Sequence, residues 1–485
     1  MSLLHIRWAA IFRVLLLLLG ASALTLVIPL GLAVVYGEGD LIRPFLVPMT
    51  AVLFPCLPVA LLTRKRPIRF SASDGFLLLF LAWILICLFG AVPYYLSGRI
   101  PRWVDAVFES VSGFTTTGAT VIADVEALPR SLLFWRAMTS WLGGMGIVVL
   151  TAALFPLLGI GGFRLLKGES SGYEKEKITP RITEAAKMLW FLYLILTALE
   201  VLLLCLGGMD WFDAAAHAFS TIATGGFSTR NNSIAAYHSP WIEGVCTVFM
   251  FLAGCNLVLL YRLFRGRYRD LLNNSELKAY GGIILVSAGI ITLSLLPEAV
   301  SLTEAVRKAF FHTVSIVTTT GFAAADYKRW PPAAQGILFF LMFVGGCSGS
   351  IAGGIKVVRL LVLAKQTGNE MKRLLYPKGV FTIQLNKKTG RKDAVYGVAG
   401  FVFLYLFLVL ITTLVVSTAG VDLFSSLNTA LLTLGNIGRG LKGPPSGVFS
   451  DFPGYIKWAL SLVMITGRLE LWIAFVFFSR DYWRQ

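Results

Sequence analysis

Charge is scarce in this sequence: only 14% of its 485 residues are Asp, Glu, Lys or Arg, while 56% are hydrophobic. A soluble domain usually carries about 25% charged residues, so water is not the main solvent of this chain. Histidine is scarcer still, with 4 in the whole chain, and the 6 cysteines have no C-x-x-C spacing. Cys56, Cys87, Cys205, Cys246, Cys255 and Cys347 all lie in or beside apolar runs, which argues against a disulfide framework or a zinc site. His217 and His312 have no Cys or carboxylate at ligand spacing, and no H-E-x-x-H, Walker loop, dinucleotide fingerprint or catalytic triad is present. The chain is therefore read as a non-enzyme without a covalent cofactor.

What the chain has instead is apolar runs near the roughly 20 residues that cross a bilayer as helix. They fall at 14–36, 44–62, 75–97, 132–158, 188–206, 241–261, 280–296, 334–363, 394–418 and 456–478. None alternates with period 2, so spanning helices surrounded by membrane lipid are predicted rather than a β-barrel. The first run exceeds the apolar region of a cleaved leader and is flanked by Arg7 and Arg13, so it is read as a retained span. A net charge of +17 would, on a soluble protein, point to nucleic acid. Here the cations gather on every second connection: Arg64 to Arg69, Arg164 to Lys187, Arg262 to Arg269 and Lys365 to Lys392. The positive-inside rule then places both termini in the cytoplasm, and no nucleic-acid partner is expected.

Self-similarity carries the functional reading. Asp105–Gly118, Asp213–Gly226 and Lys308–Gly321 align without gaps, so that Glu109, His217 and His312 coincide, as do Ser112, Ser220 and Ser315. Thr429–Gly438 is a degenerate fourth copy. Each is too short to span and ends in residues that favour irregular backbone, which at membrane depth must be buried or line a cavity. One Thr-Thr-Thr-Gly alone also fits an ordinary loop between helices; four copies in register predict a pore on a pseudo-fourfold axis. The expected fold is an all-α polytopic membrane protein: four degenerate helix, re-entrant pore loop, helix repeats around a central pore, plus two extra N-terminal transmembrane helices. The expected boundaries are 1–70 for the extra helices, then 71–165, 166–270, 271–375 and 376–485 for the repeats.

Gly permits backbone angles that let successive carbonyls face inward, and Thr adds a hydroxyl acceptor. Rings of such dipoles replace the water shell of K+, whereas a divalent-selective pore favours rings of Asp or Glu. The expected selectivity filter is Thr116, Thr117 and Gly118; Thr224, Gly225 and Gly226; Thr319, Thr320 and Gly321; and Asn436, Ile437 and Gly438. Gly345, Gly346, Cys347, Ser348, Gly349, Ser350, Gly353 and Gly354 make a continuous helix costly, at about 1 kcal/mol per Gly, so the eighth span is expected to break. That stretch is read as a gate beneath the filter, with close packing through small residues as the alternative. Arg468, in the middle of the last run, is expensive in hydrocarbon and should face the pore, the gate or some acid; Glu470 lies on another helix face.

These segments, together with Phe134-Trp135-Arg136, Trp141–Ile147, Gly345–Lys356 and Gly467-Arg-Leu-Glu470, resemble the Trk/Ktr/HKT superfamily of cation transporters, specifically the Trk-type bacterial potassium-uptake subunit. The resemblance covers nearly the whole chain. It implies gated K+ uptake, with Rb+ as a congener, in the bacterial inner membrane. It also implies a homodimer and a cytosolic regulatory subunit that binds NAD or ATP. Glycine at all four filter positions goes with K+ over Na+. Coupling to Na+ or H+ leaves no motif, so a symporter stays open, and a receptor or scaffold would not need four filters. Where Trk-type members have Pro after the fourth filter glycine, this chain has Arg439, followed by Lys442, two cations near the expected outer mouth. The usual Ser-Thr of the gate is Ser350-Ile351.

Overall fold

The computed structural model describes residues 8–63, 72–149, 178–297, 301–386, 388–389, 392–441, 448–480 and 482–484. Lys442 and most of the first two basic connections lie outside them. The described chain is an all-α membrane protein whose only strands are the paired dipeptides Gln384–Leu385 and Lys388–Thr389.

Helices α1 (Trp8–Thr25) and α2 (Val27–Val35) form the first span, and α3 (Ile42–Thr63) the second. Gly20 lets α1 and α3 meet, because a Cβ there would strike the Cys56 sulfur. Phe54, Leu61 and Leu62 project outward, as expected of a surface solvated by acyl chains.

A unit of long helix, short helix, irregular stretch and helix then recurs four times. It comprises α4 (Ala72–Leu96), α5 (Trp103–Phe114) and α6 (Arg130–Val149); then α7 (Ile178–Leu206), α8 (Trp211–Ile222), α9 (Pro240–Gly254) and α10 (Leu257–Phe264). After the short α11 (Tyr268–Leu272) come α12 (Ser275–Leu295), α13 (Leu302–Val317), α14 (Pro332–Leu341) and α15 (Val357–Leu375). The last unit is α16 (Lys392–Ser417), α17 (Leu423–Leu434), α18 (Gly454–Arg468) and α19 (Leu471–Phe475). Each short helix packs between the long helix before it and the helix after it. In addition α5 packs on α18, α8 on α6 and α13 on α9, so consecutive units interlock and the last meets the first.

Among the described residues 6 helices are long and apolar enough to cross a membrane, or 8 if each bent pair is one span. Over the described residues the ten predicted runs are all helical in part, and three of them are sharply broken. The eighth is interrupted, as expected, between Leu341 and Val357. The sixth bends by 108° between α9 and α10 and the last by 119° between α18 and α19, neither of which was expected. Asn256 causes the first bend by capping α10, its side chain accepting from the N–H groups of Val258 and Leu259. Glu470 sits at the second with φ 72°, so its position relative to Arg468 cannot be read from a continuous helix, as the sequence reading had done. It pairs instead with Arg359 at 2.5 Å.

Candidate functional site

The four short helices end alike. Thr117 donates its N–H to Ser112 O, Gly225 to Ser220 O, Thr320 to Ser315 O and Ile437 to Leu432 O, at 2.7–2.9 Å. One residue earlier, Thr116 donates to Gly113 O, Thr224 to Thr221 O, Thr319 to Ile316 O and Asn436 to Thr433 O. This double bond pattern is the Schellman helix stop, which requires a left-handed residue, usually Gly, just past the helix. Here that residue is Thr116, Thr224, Thr319 or Asn436, with φ of 52°, 54°, 58° and 55°. Asn tolerates the conformation; for β-branched Thr it costs about 1–3 kcal/mol, a strain characteristic of functional sites. These three threonines are expected filter residues, but as hydroxyl acceptors; their left-handed backbone is not expected, since the sequence reading assigns the forbidden angles to Gly alone.

Two residues on, Gly118, Gly226, Gly321 and Gly438 are also left-handed, with φ of 81°, 71°, 74° and 77°. Left-handed geometry at alternate residues turns successive carbonyls toward one side of the strand. The glycines also touch in sequence. A Cβ on Gly118 would collide with Gly225 O, one on Gly226 with Thr320 O, one on Gly321 with Ile437 O, and one on Gly438 with Thr117 O. Each glycine therefore abuts the carbonyl that precedes the next glycine, and the fourth abuts the first. The four predicted segments are thus brought together as one closed ring, with every Thr and Asn in it buried.

Buried polar chains brace the ring from behind. Glu109 accepts from Arg136 Nε at 2.6 Å, from Thr120 Oγ1 at 3.0 Å and from Val121 N at 3.0 Å. Arg136 also donates to Ser228 O at 3.0 Å and lies over the Phe227 ring, joining the first segment to the second. His217 and His312, at the aligned positions, reach Ser228 Oγ at 2.9 Å and Ala324 N at 3.3 Å. Lys457 on α18 meets Asp105 on α5 at 2.5 Å. Arg136 and Lys457 escaped the reading as site residues, although cations in apolar runs are the signal that singled out Arg468.

The Gly-rich stretch lies against the helix side of the ring. Gly353 N donates to Thr319 Oγ1 at 2.7 Å. Gly345 N bonds Ile355 O at 2.8 Å and Gly346 O accepts from Val357 N, which folds the stretch into a loop. Gly349 and Gly354 are left-handed, with φ of 73° and 66°. Cys347 N and Ile351 N donate to Gly254 O and Ala253 O at the end of α9, and Ser350 N to Cys347 O. Asn256 Nδ2 holds Ser348 O at 2.6 Å, and Leu257 N holds Gly349 O at 3.2 Å. Glu276, which the sequence reading did not single out, takes Ser348 N at 2.5 Å, Ser348 Oγ at 2.7 Å and Val358 N at 3.2 Å. Arg468 is buried and donates from Nη1 to Ile351 O at 2.7 Å, while its Nε and Nη2 have no hydrogen-bond partner. The expected meeting of Arg468 with this loop therefore occurs.

On the other side of the ring a cavity of about 650 Å³ is lined by Gly118, Gly438, Asn231, Tyr327 and Arg439, among others. Cavity, glycine ring and Gly-rich loop follow one another, an arrangement that can strip, hold and release a small cation.

The model of the TrkH family, described as cation transport protein, matches residues 49–279 and 292–484. The chain is 38% identical over 482 residues to the Trk system potassium uptake protein TrkH of Halomonas elongata, covering 98% of this chain and 99% of that protein. It is 37% identical to the protein of the same name from Escherichia coli K12, covering 99% and 100%. The crystal structure of the potassium transporter TrkH from Vibrio parahaemolyticus superposes with a TM-score of 0.90 at 35% identity, over 98% of this chain and 100% of that one. Fold, site and relatives agree: the chain belongs to the TrkH family of cation transport proteins.

Proposed function

We propose that this chain takes up potassium ions through the ring formed by Gly118, Gly226, Gly321 and Gly438. The observation that carries the reading is the closed contact of each glycine with the carbonyl preceding the next one. Neutral carbonyl dipoles suit a monovalent cation, and the triplets Thr116–Gly118, Thr224–Gly226, Thr319–Gly321 and Asn436–Gly438 contain no carboxylate. The four short helices add their carboxyl ends, with partial negative charge, at the same place.

The 345–354 loop, pinned by Arg468, Glu276 and Asn256, is the gate. Basic residues on every second connection support cytoplasmic termini, and with that orientation the 650 Å³ cavity faces outward and the loop faces the cytosol. Residence in a bacterial inner membrane, assembly as a homodimer and control by a cytosolic subunit that binds NAD or ATP complete the reading. The same reading divides the chain into two extra helices at 1–70 and repeats at 71–165, 166–270, 271–375 and 376–485.

Rb+ flux into liposomes holding the purified chain tests it. Uptake that follows the Rb+ gradient and discriminates against Na+ supports passive conduction. Uptake that appears only with an imposed Na+ or H+ gradient makes the protein a symporter, and no flux under any gradient overturns the transport reading.

A further inference from the structure

Arg439 stands directly after the fourth ring glycine, its N–H bonded to Ile437 O at 3.0 Å, and its side chain lines the cavity outside the ring. Its Nη2 reaches Asn231 O at 3.4 Å. The order of glycine contacts, 118 to 226 to 321 to 438 and back, puts the fourth segment opposite the second. Asn231 follows the second segment and is bonded to residues 124–126 past the first, so the Arg439 side chain reaches from the fourth segment over the mouth to the rim shared by the first and second.

Its landing point is fixed. Asn231 Oδ1 accepts from Val125 N at 2.8 Å, its Nδ2 donates to Asp124 Oδ1 at 2.8 Å, and its N–H donates to Glu126 Oε1 at 3.0 Å. The bond from Arg439 to it is the weak member of this group, being long and made to a neutral oxygen. A guanidinium held this way can leave the carbonyl without disturbing the loop beneath it.

We propose that Arg439 is a cationic strap at the outer mouth, which slows access of cations to the filter and discriminates against divalent ones. The proposal rests on the assignment of the glycine ring as the ion path. In water-like surroundings a unit charge roughly 5–10 Å from an ion lowers a monovalent cation's occupancy about two- to fourfold, and a divalent cation's by the square of that factor. The effect fades as salt shortens the screening length from about 30 Å at 0.01 M to about 3 Å at 1 M.

The test is Rb+ uptake by the full chain in liposomes, with Arg439→Gln, Arg439→Lys and Arg439→Cys beside the parent. At about 10 mM ionic strength Arg439→Gln is expected to raise uptake two- to fourfold, with Arg439→Lys near the parent, and the gain should vanish near 1 M. Inhibition by external Ba2+ should strengthen by roughly the square of the Rb+ gain. In Arg439→Cys, an external cationic thiol reagent should restore slow uptake and an anionic one should not. This arm serves if the Gln variant folds poorly, because it compares one folded protein with itself. Equal uptake by parent and Gln variant at low salt, a gain that salt does not remove, or equal effects of the two reagents would each overturn the strap. A parent chain that carries Rb+ without discriminating against Na+ would instead overturn the filter assignment.

Discussion

Glu109 and Arg136 meet at 2.6 Å in a site almost closed to solvent, with side-chain exposures of 0% and 3%. The pair does more than neutralise itself. Glu109 secures Thr120 and Val121 past the first segment, and Arg136 secures Ser228 past the second, so one ion pair sets the spacing of two neighbouring ring members.

Removing one partner leaves a buried charge uncompensated, at a cost of about 3–5 kcal/mol. Glu109→Gln and Arg136→Met are therefore each expected to lower the thermal midpoint of the detergent-solubilised protein. The double variant should be less damaged than the sum of the two singles. Purely additive losses in that cycle would show that the two groups do not act as a pair.

Gly118→Ser and Gly321→Ser test the ring itself. A side chain at either position would meet the carbonyl oxygen of the adjacent segment, Gly225 O or Ile437 O, and would need left-handed backbone that Ser rarely adopts. Reduced Rb+ uptake, or reduced Rb+/Na+ discrimination, is expected with each. Wild-type discrimination in both would remove these glycines from the ion path.

Apolar run length, the Gly-rich break and the three in-register copies were legible in the sequence because helix length, glycine cost and alignment are local properties. The bends at Asn256 and Glu470 were not, since each occurs inside a run whose hydropathy continues across it. Glu276 was hidden for a related reason. It lies at the start of α12, where an acid reads as an ordinary helix-end residue, and only the tertiary fold brings Ser348 and Val358 to its carboxylate. The threonines themselves were legible as filter residues, but their left-handed backbone was not, because the expectation that Gly supplies such angles sends attention to the glycine two residues later.

Thr319 joins the ring to the loop, accepting from Gly353 N at 2.7 Å while holding φ at 58°. Thr319→Gly relieves backbone strain but deletes the hydroxyl; Thr319→Ser keeps it. Hydrogen exchange at 345–354 should accelerate in the Gly variant and stay near wild type in the Ser variant. Equal exchange in both would show that the loop is held without this bond.

The outer rim gives a pH expectation. The Asn231 side chain, hydrogen-bonded to Asp124, holds that carboxyl below its ordinary range. A depressed carboxylate pKa contributes stability that is present above the unfolded value, about 3.9, and lost as pH falls through the folded value. The Asn231 anchor should thus be constant between pH 5 and 8 and loosen only below about pH 4. Parallel pH profiles of Rb+ uptake for parent and Asp124→Asn over pH 5–8 are expected; a step confined to the parent in that window would contradict this account.

Arg468 decides whether the loop is a gate or merely a structural plug. Its Nη1 holds Ile351 O at 2.7 Å, and two further guanidinium nitrogens are buried without partners, which is a poor arrangement for stability alone. An arginine kept for packing would be expected to satisfy its remaining donors. Instead its charge lies beside the loop that follows the ring, where it fixes the loop by a charge-assisted bond and, on the proposed reading, opposes a passing cation. Both effects resist flux. Arg468→Ala should consequently increase Rb+ uptake per folded protomer and weaken its response to the proposed cytosolic regulator, whereas Glu276→Gln, which loosens the loop but leaves the Arg468 charge in place, should raise uptake less. Loss of flux in a stable Arg468→Ala protein would mean that the loop needs Arg468 to conduct, and the gate reading would fail.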